Sequence, residues 1–452
     1  AAKRAQDVWQ FEHLLATHFH EKAFFRNPRQ IDNRRNSLSF IEDYPNLHFD
    51  IYFETIGFAD TININSSTPD YIKELNKLIK DTSAETIKFY LLAHLLHQYA
   101  PYMDEEYSAA NCQFHRAIQG NKKCQARWLL VISGMNKYMG FALGDLYVQK
   151  YHKAGDIKQA KEIFHQIKTE MAKAIPNANW LSDETRTNAL KKLHQMRARI
   201  GYPKSPLNYS KLKVKPQSFV ENMIAIRQFE IKRDWKKINK PVDPNDWSMP
   251  PQTVNASYNP SNNQINIPLG ILQSPFFDVH APLAVNYGGI GVVIGHELFH
   301  GFDDEGSQFD GDGYLTNWWS NDDWFAYHDK VKCIVKQFSQ YPVQNSRLHI
   351  NGNLVSGEAL ADLEGIKLAH AALLSKISSA QTIDNFSPQQ QFFINFAHVW
   401  AGKVTDKEAL RRALTDNHPP GIYRVNGTMS NVPEFYKAFK YKMPNTKTCQ
   451  IL

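Results

Sequence analysis

Apolar residues recur at helical spacing through the first 175 or so residues of the chain. The stretch Lys158 to Ile175 is the clearest case, because Ile163, Phe164, Ile167, Met171 and Ile175 fall on one face of a helix. A second helix is predicted after Ser182, a capping residue type, with Asp183 and Glu184 in its first turn. Its apolar set is Leu190, Leu193, Met196 and Ile200, and Gly201-Tyr202-Pro203 is expected to end it. From Pro203 to Pro260 the character changes. Pro241, Pro244, Pro250 and Pro251, among Asn and Trp residues, predict loops and short elements. Asn263 to Pro268 alternates polar and apolar residues and predicts a strand. Past Gly288 helical patterning returns, broken by loops of Gly, Asp and Asn. No internal repeat or low-complexity tract interrupts it. The pattern predicts a helical domain over 1–175 and a mixed α/β domain over 176–452, with the seam between 170 and 205.

Composition narrows the class. Of 452 residues, 42% are apolar and 12% aromatic, enough for a sizeable core, which excludes a disordered chain. The 52 Lys+Arg less 45 Asp+Glu leave +7, a mild surplus that no long basic block concentrates. The densest spot, Arg233 to Lys240, is expected to be a solvated helix face, so no nucleic-acid partner is expected. No run approaches the roughly eighteen consecutive apolar residues of a membrane span. A chain that opens Ala1-Ala2-Lys3-Arg4 is expected to be processed or a fragment, with any signal or anchor outside it. Four cysteines, none in a C-x-x-C pair, make neither a disulfide scaffold nor a structural zinc motif. By count alone they could be free thiols, and the spacing of Cys112 and Cys124 allows a local bridge without requiring one.

The strongest chemical signal is Gly295-His296-Glu297-Leu298-Phe299-His300. Residues four apart share a helix face, so His296 and His300 can present two imidazoles to one metal ion. Glu297 can then lie beside the metal's water as its base. Ile290, Val292, Val293 and Ile294 predict a buried helix, and a buried histidine pair needs a reason to be there. The bland alternative is two core histidines bonded to backbone. A catalytic zinc takes three protein ligands and keeps one position open. One class of third ligand needs a Gly three and a His six residues after His300; Asp303 and Gly306 stand there and exclude it. The other class takes a Glu from a following helix. Gly357-Glu358-Ala359-Leu360-Ala361-Asp362 fits, opening an apolar helix through Leu363, Ile366, Leu368 and Ala369. Glu358 and Asp362 share a face, so Glu358 can reach the metal while Asp362 holds an imidazole from behind.

These residues sit in a longer block, Tyr287-Gly-Gly-Ile-Gly-Val-Val-Ile-Gly-His296-Glu-Leu-Phe-His300-Gly-Phe-Asp-Asp304, which continues through Asp310-Gly-Asp-Gly-Tyr-Leu-Thr-Asn-Trp318-Trp319. The block resembles the neprilysin and endothelin-converting-enzyme family of zinc peptidases, which are gluzincins. Val254-Asn255-Ala256-Ser257-Tyr258 is similar to that family's substrate-binding strand, and Gly270 to Phe277 follows it at the expected distance. His418-Pro-Pro-Gly-Ile-Tyr-Arg424 and Ile200-Gly201-Tyr202-Pro203 also match family segments. The similarity runs from about residue 85 to the end.

The resemblance implies a mainly α fold, with an α/β thermolysin-like catalytic domain over 176–452 and a partial helical cap over 1–175. It implies a monomeric metalloendopeptidase that hydrolyses peptide bonds of oligopeptides, with one zinc ion as cofactor and peptides as its partners. Carried over residue by residue, His296, His300 and Glu358 are the zinc ligands, Glu297 is the general base, and Asp362 is a second catalytic acid. His418 is the oxyanion stabiliser. Asn255, Ala256 and Arg424 bind substrate backbone. Ile271, Phe276, Val292, Val293, Val399 and Trp400 line an apolar pocket for a large hydrophobic residue just after the scissile bond. The resemblance also implies a Cys333–Cys449 bridge, hence a periplasmic or secreted location.

Two departures stand out. The family normally carries a further stretch before the point where this chain begins, so an incomplete cap is expected. The family usually ends in C-x-x-W, whereas this chain ends Cys449-Gln-Ile-Leu452. Asn255-Ala-Ser257 is formally a glycosylation acceptor, yet a glycan there would block the cleft. The rival to an active peptidase is a catalytically weak peptide-binding protein on a truncated peptidase fold. A closed structural zinc site would need a fourth ligand, which no Cys or His near these motifs supplies.

Overall fold

The computed structural model describes residues 2–58, 62–152, 154–377, 382, 385–444 and 448–452, most of them helical. The chain divides into two compact units. One comprises Ala1–Ala117, Lys122–Leu130 and Leu212–Pro241; the other comprises Ile118–Asn121, Val131–Lys211 and Val242–Leu452. This is not the division at 175 that the change of patterning predicts. The helix that carries Ile163, Phe164, Ile167, Met171 and Ile175 buries all five among helices of the second unit. Patterning registers a change of element type, and the packing partner of that helix lies far downstream.

In the first unit, helices Ala2–Thr17 and Ala84–Tyr99 pack together through an edge-on Phe11–Tyr90 pair at 4.9 Å. Leu91, Leu92 and Leu95 of the second of these remain exposed. The stretch 203–260, predicted to be loops and short elements, contains a 17-residue helix, Phe219–Trp235. Ser218 caps it by accepting from Glu221 N, and Met223 and Ile226 bury its inner face. The prolines that argued for loops, Pro241, Pro244, Pro250 and Pro251, all lie beyond its C-terminal end. Of the basic spot, Arg233 ends this helix paired to Glu230 at 2.7 Å, and Lys237 pairs with Asp234 at 3.2 Å.

The second unit contains, in order, α1 (Ala154–Asn177), α2 (Asp183–Gln195), β1 (Arg197–Gly201), β2 (Ser257–Asn259), β3 (Gln264–Pro268), α3 (Val292–Phe299), α4 (Asn321–Phe338), α5 (Gly352–Leu374), α6 (Pro388–Val399) and α7 (Gly421–Met429). Ser182 caps α2 as expected, but α2 stops at Gln195, short of Ile200. The N–H of Met196 turns back to the carbonyls of Lys192 and Leu193. Arg197–Gly201 is instead extended and pairs in parallel with β3, from Arg197 opposite Gln264 to Gly201 opposite Pro268. Residues 197–200, expected to finish that helix, find their backbone partners in a sheet. The strand order is β1-β3-β2, with β2 antiparallel to β3 and at the edge.

The core centres on α5, which is buried along almost its whole length and therefore apolar nearly all round. It packs against α3, α4 and α1. The crossing with α3 is unusually close. A Cβ on Gly295 would sit 2.6 Å from the Gly365 carbonyl oxygen, and one on Gly365 would sit 2.6 Å from the His296 nitrogen. Only glycine at both positions lets the two backbones approach this far. That approach sets the distance between the histidines of α3 and the carboxylates of α5. No helix among the described residues is long and apolar enough to cross a membrane.

Two disulfides form, Cys112–Cys124 and Cys333–Cys449, with Cα separations of 5.8 and 5.6 Å in the ordinary range. The second ties α4 to the C-terminal segment. That segment is held further by Trp180 Nε1 donating to the Ile451 carbonyl at 2.8 Å and by Ile451 N donating to Glu364 at 3.2 Å. Alkylating reagents should therefore label no cysteine in the native protein and four after denaturation and reduction. Rapid labelling of Cys333 or Cys449 without reductant would refute the second bridge.

Candidate active site

Helix α3 presents Val292, Ile294 and Leu298 to the core, which places His296 and Glu297 in a buried position, 7% and 6% exposed. A π-helical turn over Tyr287–Gly291 leads into it. Such turns free a backbone group from the helical ladder. Here the N–H of Ile290 donates to the Phe276 carbonyl at 2.7 Å, which draws the Phe276 loop to the mouth of the site.

His296 Nδ1 lies 2.8 Å from Asp362 Oδ1, and His300 Nδ1 lies 2.7 Å from Asp303 Oδ2. A carboxylate can only accept, so each Nδ1 carries a proton, and in the neutral imidazole Nε2 is left as an electron-pair donor. The two Nε2 atoms approach to 2.9 Å, and Glu358 Oε2 lies 3.2 Å from His296 Nε2. Ligand atoms of His296, His300 and Glu358 all fall within 4.8 Å of one another. Glu358 Oε2 is buried without a hydrogen-bond partner. A buried orphan carboxylate oxygen facing His296 Nε2, with His300 Nε2 3.7 Å from the companion oxygen Oε1, is a donor set that fits a divalent cation. The mix of two nitrogens and one carboxylate suits zinc.

Charge points the same way. Glu297, Asp303, Glu358 and Asp362 are all 6% exposed or less, set against the guanidinium of Arg424. Burial alone would lower the pKa of both imidazoles, but the carboxylates outweigh it and raise them: mainly Asp362 and Glu358 at His296, Glu358 and Asp303 at His300. Burial would likewise raise Glu358, yet His300, His296 and Arg424 hold it well below the usual range. Glu297 is different. Burial raises it, and the nearby cations only partly offset that.

Arg424, on α7, donates from Nε to Asp362 Oδ2 at 2.7 Å and from Nη2 to Asp362 Oδ1 at 2.6 Å, a two-pronged pair. The Trp400 ring covers its Cζ at 3.9 Å. His418 is half exposed; its Nδ1 meets Asp416 Oδ1 at 2.8 Å, and its Nε2 lies 3.4 Å from Glu358 Oε1. Lys192, 1% exposed, donates at 2.6 Å to the carbonyls of Gly306 and Phe309, and so secures the loop that follows Asp303.

A cavity of about 450 Å³ opens over this cluster. Its wall includes His296, Glu297, His300, Glu358, Asp362, His418 and Arg424, together with Asn255, Ala256, Ile271, Phe276, Val292, Val293, Val399 and Trp400. The structure thus gathers every predicted site residue around one space. Three others escaped the sequence reading. Asp303 stands three residues after His300, Asp416 two before His418, and Asn417 donates to Glu358 Oε1 at 3.1 Å. An acid three residues after the second histidine of the motif is a usable signal for Asp303; nothing local marks the other two.

Models of peptidase family M13 match the chain at residues 255–450 and, for the family's N-terminal domain, at residues 1–203. Residues of that N-terminal region are therefore present here. An endothelin-converting enzyme homolog of Locusta migratoria is 33% identical over 404 residues, 85% of this chain and 55% of its own. Neprilysin-3 of Drosophila melanogaster is 31% identical over 429 residues, 89% of this chain and 54% of its own. The chain spans about half the length of these curated relatives. Among solved structures, zinc metalloprotease Zmp1 of Mycobacterium tuberculosis in complex with an inhibitor superimposes with a TM-score of 0.95 at 31% identity, covering 100% of this chain and 70% of its own.

Proposed function

The chain belongs to peptidase family M13, and from that premise we propose that it is a zinc metalloendopeptidase acting on oligopeptides outside the cytoplasm. One observation carries the reading: ligand atoms of His296, His300 and Glu358 converge within 4.8 Å in the cavity wall, which Glu297 also lines. These three residues would hold the ion. When bound there, zinc supplies Lewis acidity toward a peptide carbonyl and makes water a nucleophile near neutral pH.

The chain's own residues do the rest. Glu297 takes the proton of the attacking water and passes it to the leaving amine. Asp362 and Asp303 keep both imidazoles turned toward the ion. His418, steadied by Asp416, donates to the oxyanion that forms on the carbonyl carbon's oxygen. Among the described residues β2 pairs only with β3, so a peptide can add along its other edge, where Asn255 and Ala256 meet its backbone. Ile271, Phe276, Val292, Val293, Val399 and Trp400 supply the cavity with apolar lining that suits a large hydrophobic side chain. Arg424, fixed on Asp362, is positioned to meet a substrate carbonyl beside that lining. Two disulfides fit an oxidising compartment.

The test is zinc content together with cleavage of quenched peptides that differ only in the residue after the cut. One zinc per chain, cleavage lost on chelation, and preference for Phe or Leu over Asp at that position are expected. Stoichiometric zinc without turnover would favour the peptide-binding alternative instead.

A further inference from the structure

Glu358 offers two oxygens, and the protein treats them differently. Oε2 is buried with no hydrogen-bond partner; it faces His296 Nε2 at 3.2 Å and has Arg424 Nη2 at 3.6 Å, while His300 Nε2 lies 3.7 Å from Oε1. Oε1 accepts from Asn417 Nδ2 at 3.1 Å, the orientation a carboxylate acceptor demands of an amide. Asn417 stands between two functional neighbours. Asp416 Oδ1 accepts from both the backbone N–H and the Nδ1 of His418, at 3.0 and 2.8 Å. His418 Nε2 in turn lies 3.4 Å from the same Glu358 Oε1.

We infer that Asn417 is a positioning residue that occupies Glu358 Oε1, so that Oε2 alone meets the metal, and that it thereby sets His418 at a fixed distance from the ion. The inference rests on the zinc reading above. Its chemistry is simple. A carboxylate free at both oxygens can close on zinc through both, filling the position a catalytic site must leave open. A donor held against one oxygen prevents that rotation, as partners of ligand side chains do in other metal sites. The amide also couples two elements distant in sequence, since Asn417 and Glu358 are 59 residues apart. Asp at this position would set a second carboxylate against the first, and Leu would match the shape with no donor. Asn417 itself is exposed, so neither change disturbs the core.

The experiment compares the parent, Asn417→Leu, Asn417→Asp and Glu358→Val, the last as the floor for a lost ligand. Zinc affinity is read by competition with a chelating dye, ligand geometry by the visible absorption of the cobalt(II)-loaded protein, and fold by the metal-free melting temperature. Asn417→Leu should weaken zinc binding roughly 10-fold or more and shift the cobalt band. It should lower kcat with little change in KM, at an unchanged metal-free melting temperature. Asn417→Asp should weaken zinc further. Parental zinc affinity and cobalt spectrum in Asn417→Leu would overturn the inference. So would a drop in metal-free stability that accounts for the losses. A parent protein that takes up no more zinc than Glu358→Val overturns the metal reading itself, and this inference with it.

Discussion

Glu297→Gln should bind zinc as tightly as the parent and cleave peptides roughly 10²–10⁴-fold more slowly, the scale of a lost general base. The substitution keeps shape and volume in a position that is only 6% exposed, so packing is preserved. Glu297 is also absent from the trio whose ligand atoms converge, so metal affinity has no reason to fall. What the amide cannot do is accept a proton from water. The loss should therefore sit in kcat, with KM for a hydrophobic peptide close to the parental value. Zinc titration and steady-state kinetics on the same preparation separate the two effects. Near-parental turnover by the zinc-loaded variant would remove Glu297 from the mechanism. Loss of zinc would instead make it a ligand.

The His-His-Glu cluster is legible in the sequence because its geometry is mostly local. His296 and His300 owe their common direction to one helix turn, and Glu358 and Asp362 owe theirs to another. Only the meeting of the two helices is tertiary, and Gly295 and Gly365 left a trace of it without announcing it. Other features depend on how loops return. Asn417 reaches Glu358 across 59 residues, and Asp416 matters only because the turn before α7 folds His418 back on it. No spacing rule encodes either. The fold shows the same divide. Periodicity found α1 and β3, but it extended α2 over β1, because pairing with β3 decides that segment and lies outside any local window. The helix Phe219–Trp235 was hidden by the prolines that follow it, and the division into units by a helix whose partners include elements more than a hundred residues later.

Arg424 shows how a role inferred from resemblance can be incomplete. As a substrate contact alone, it could be removed at little cost to stability. Its position says otherwise. It is 5% exposed and binds Asp362 through two donors, and Asp362 is 1% exposed and also holds His296. Arg424→Ala leaves that carboxylate buried with its strongest partner gone, a change that costs about 3–5 kcal/mol in comparable pairs. It also removes the guanidinium stacked under Trp400. The metal-free protein should therefore unfold at markedly lower denaturant, and His296, its anchor weakened, should hold zinc less firmly. Arg424→Lys should recover only part of the loss, since one ammonium cannot span both oxygens of Asp362 in the way the planar fork does. Adding Asp362→Asn to Arg424→Ala should recover stability without recovering activity, because it removes the stranded charge while leaving His296 with a weaker acceptor. Denaturation midpoints for the four proteins, with and without zinc, decide the matter. An unchanged midpoint in Arg424→Ala, with kcat/KM reduced, would return Arg424 to a purely substrate-facing role.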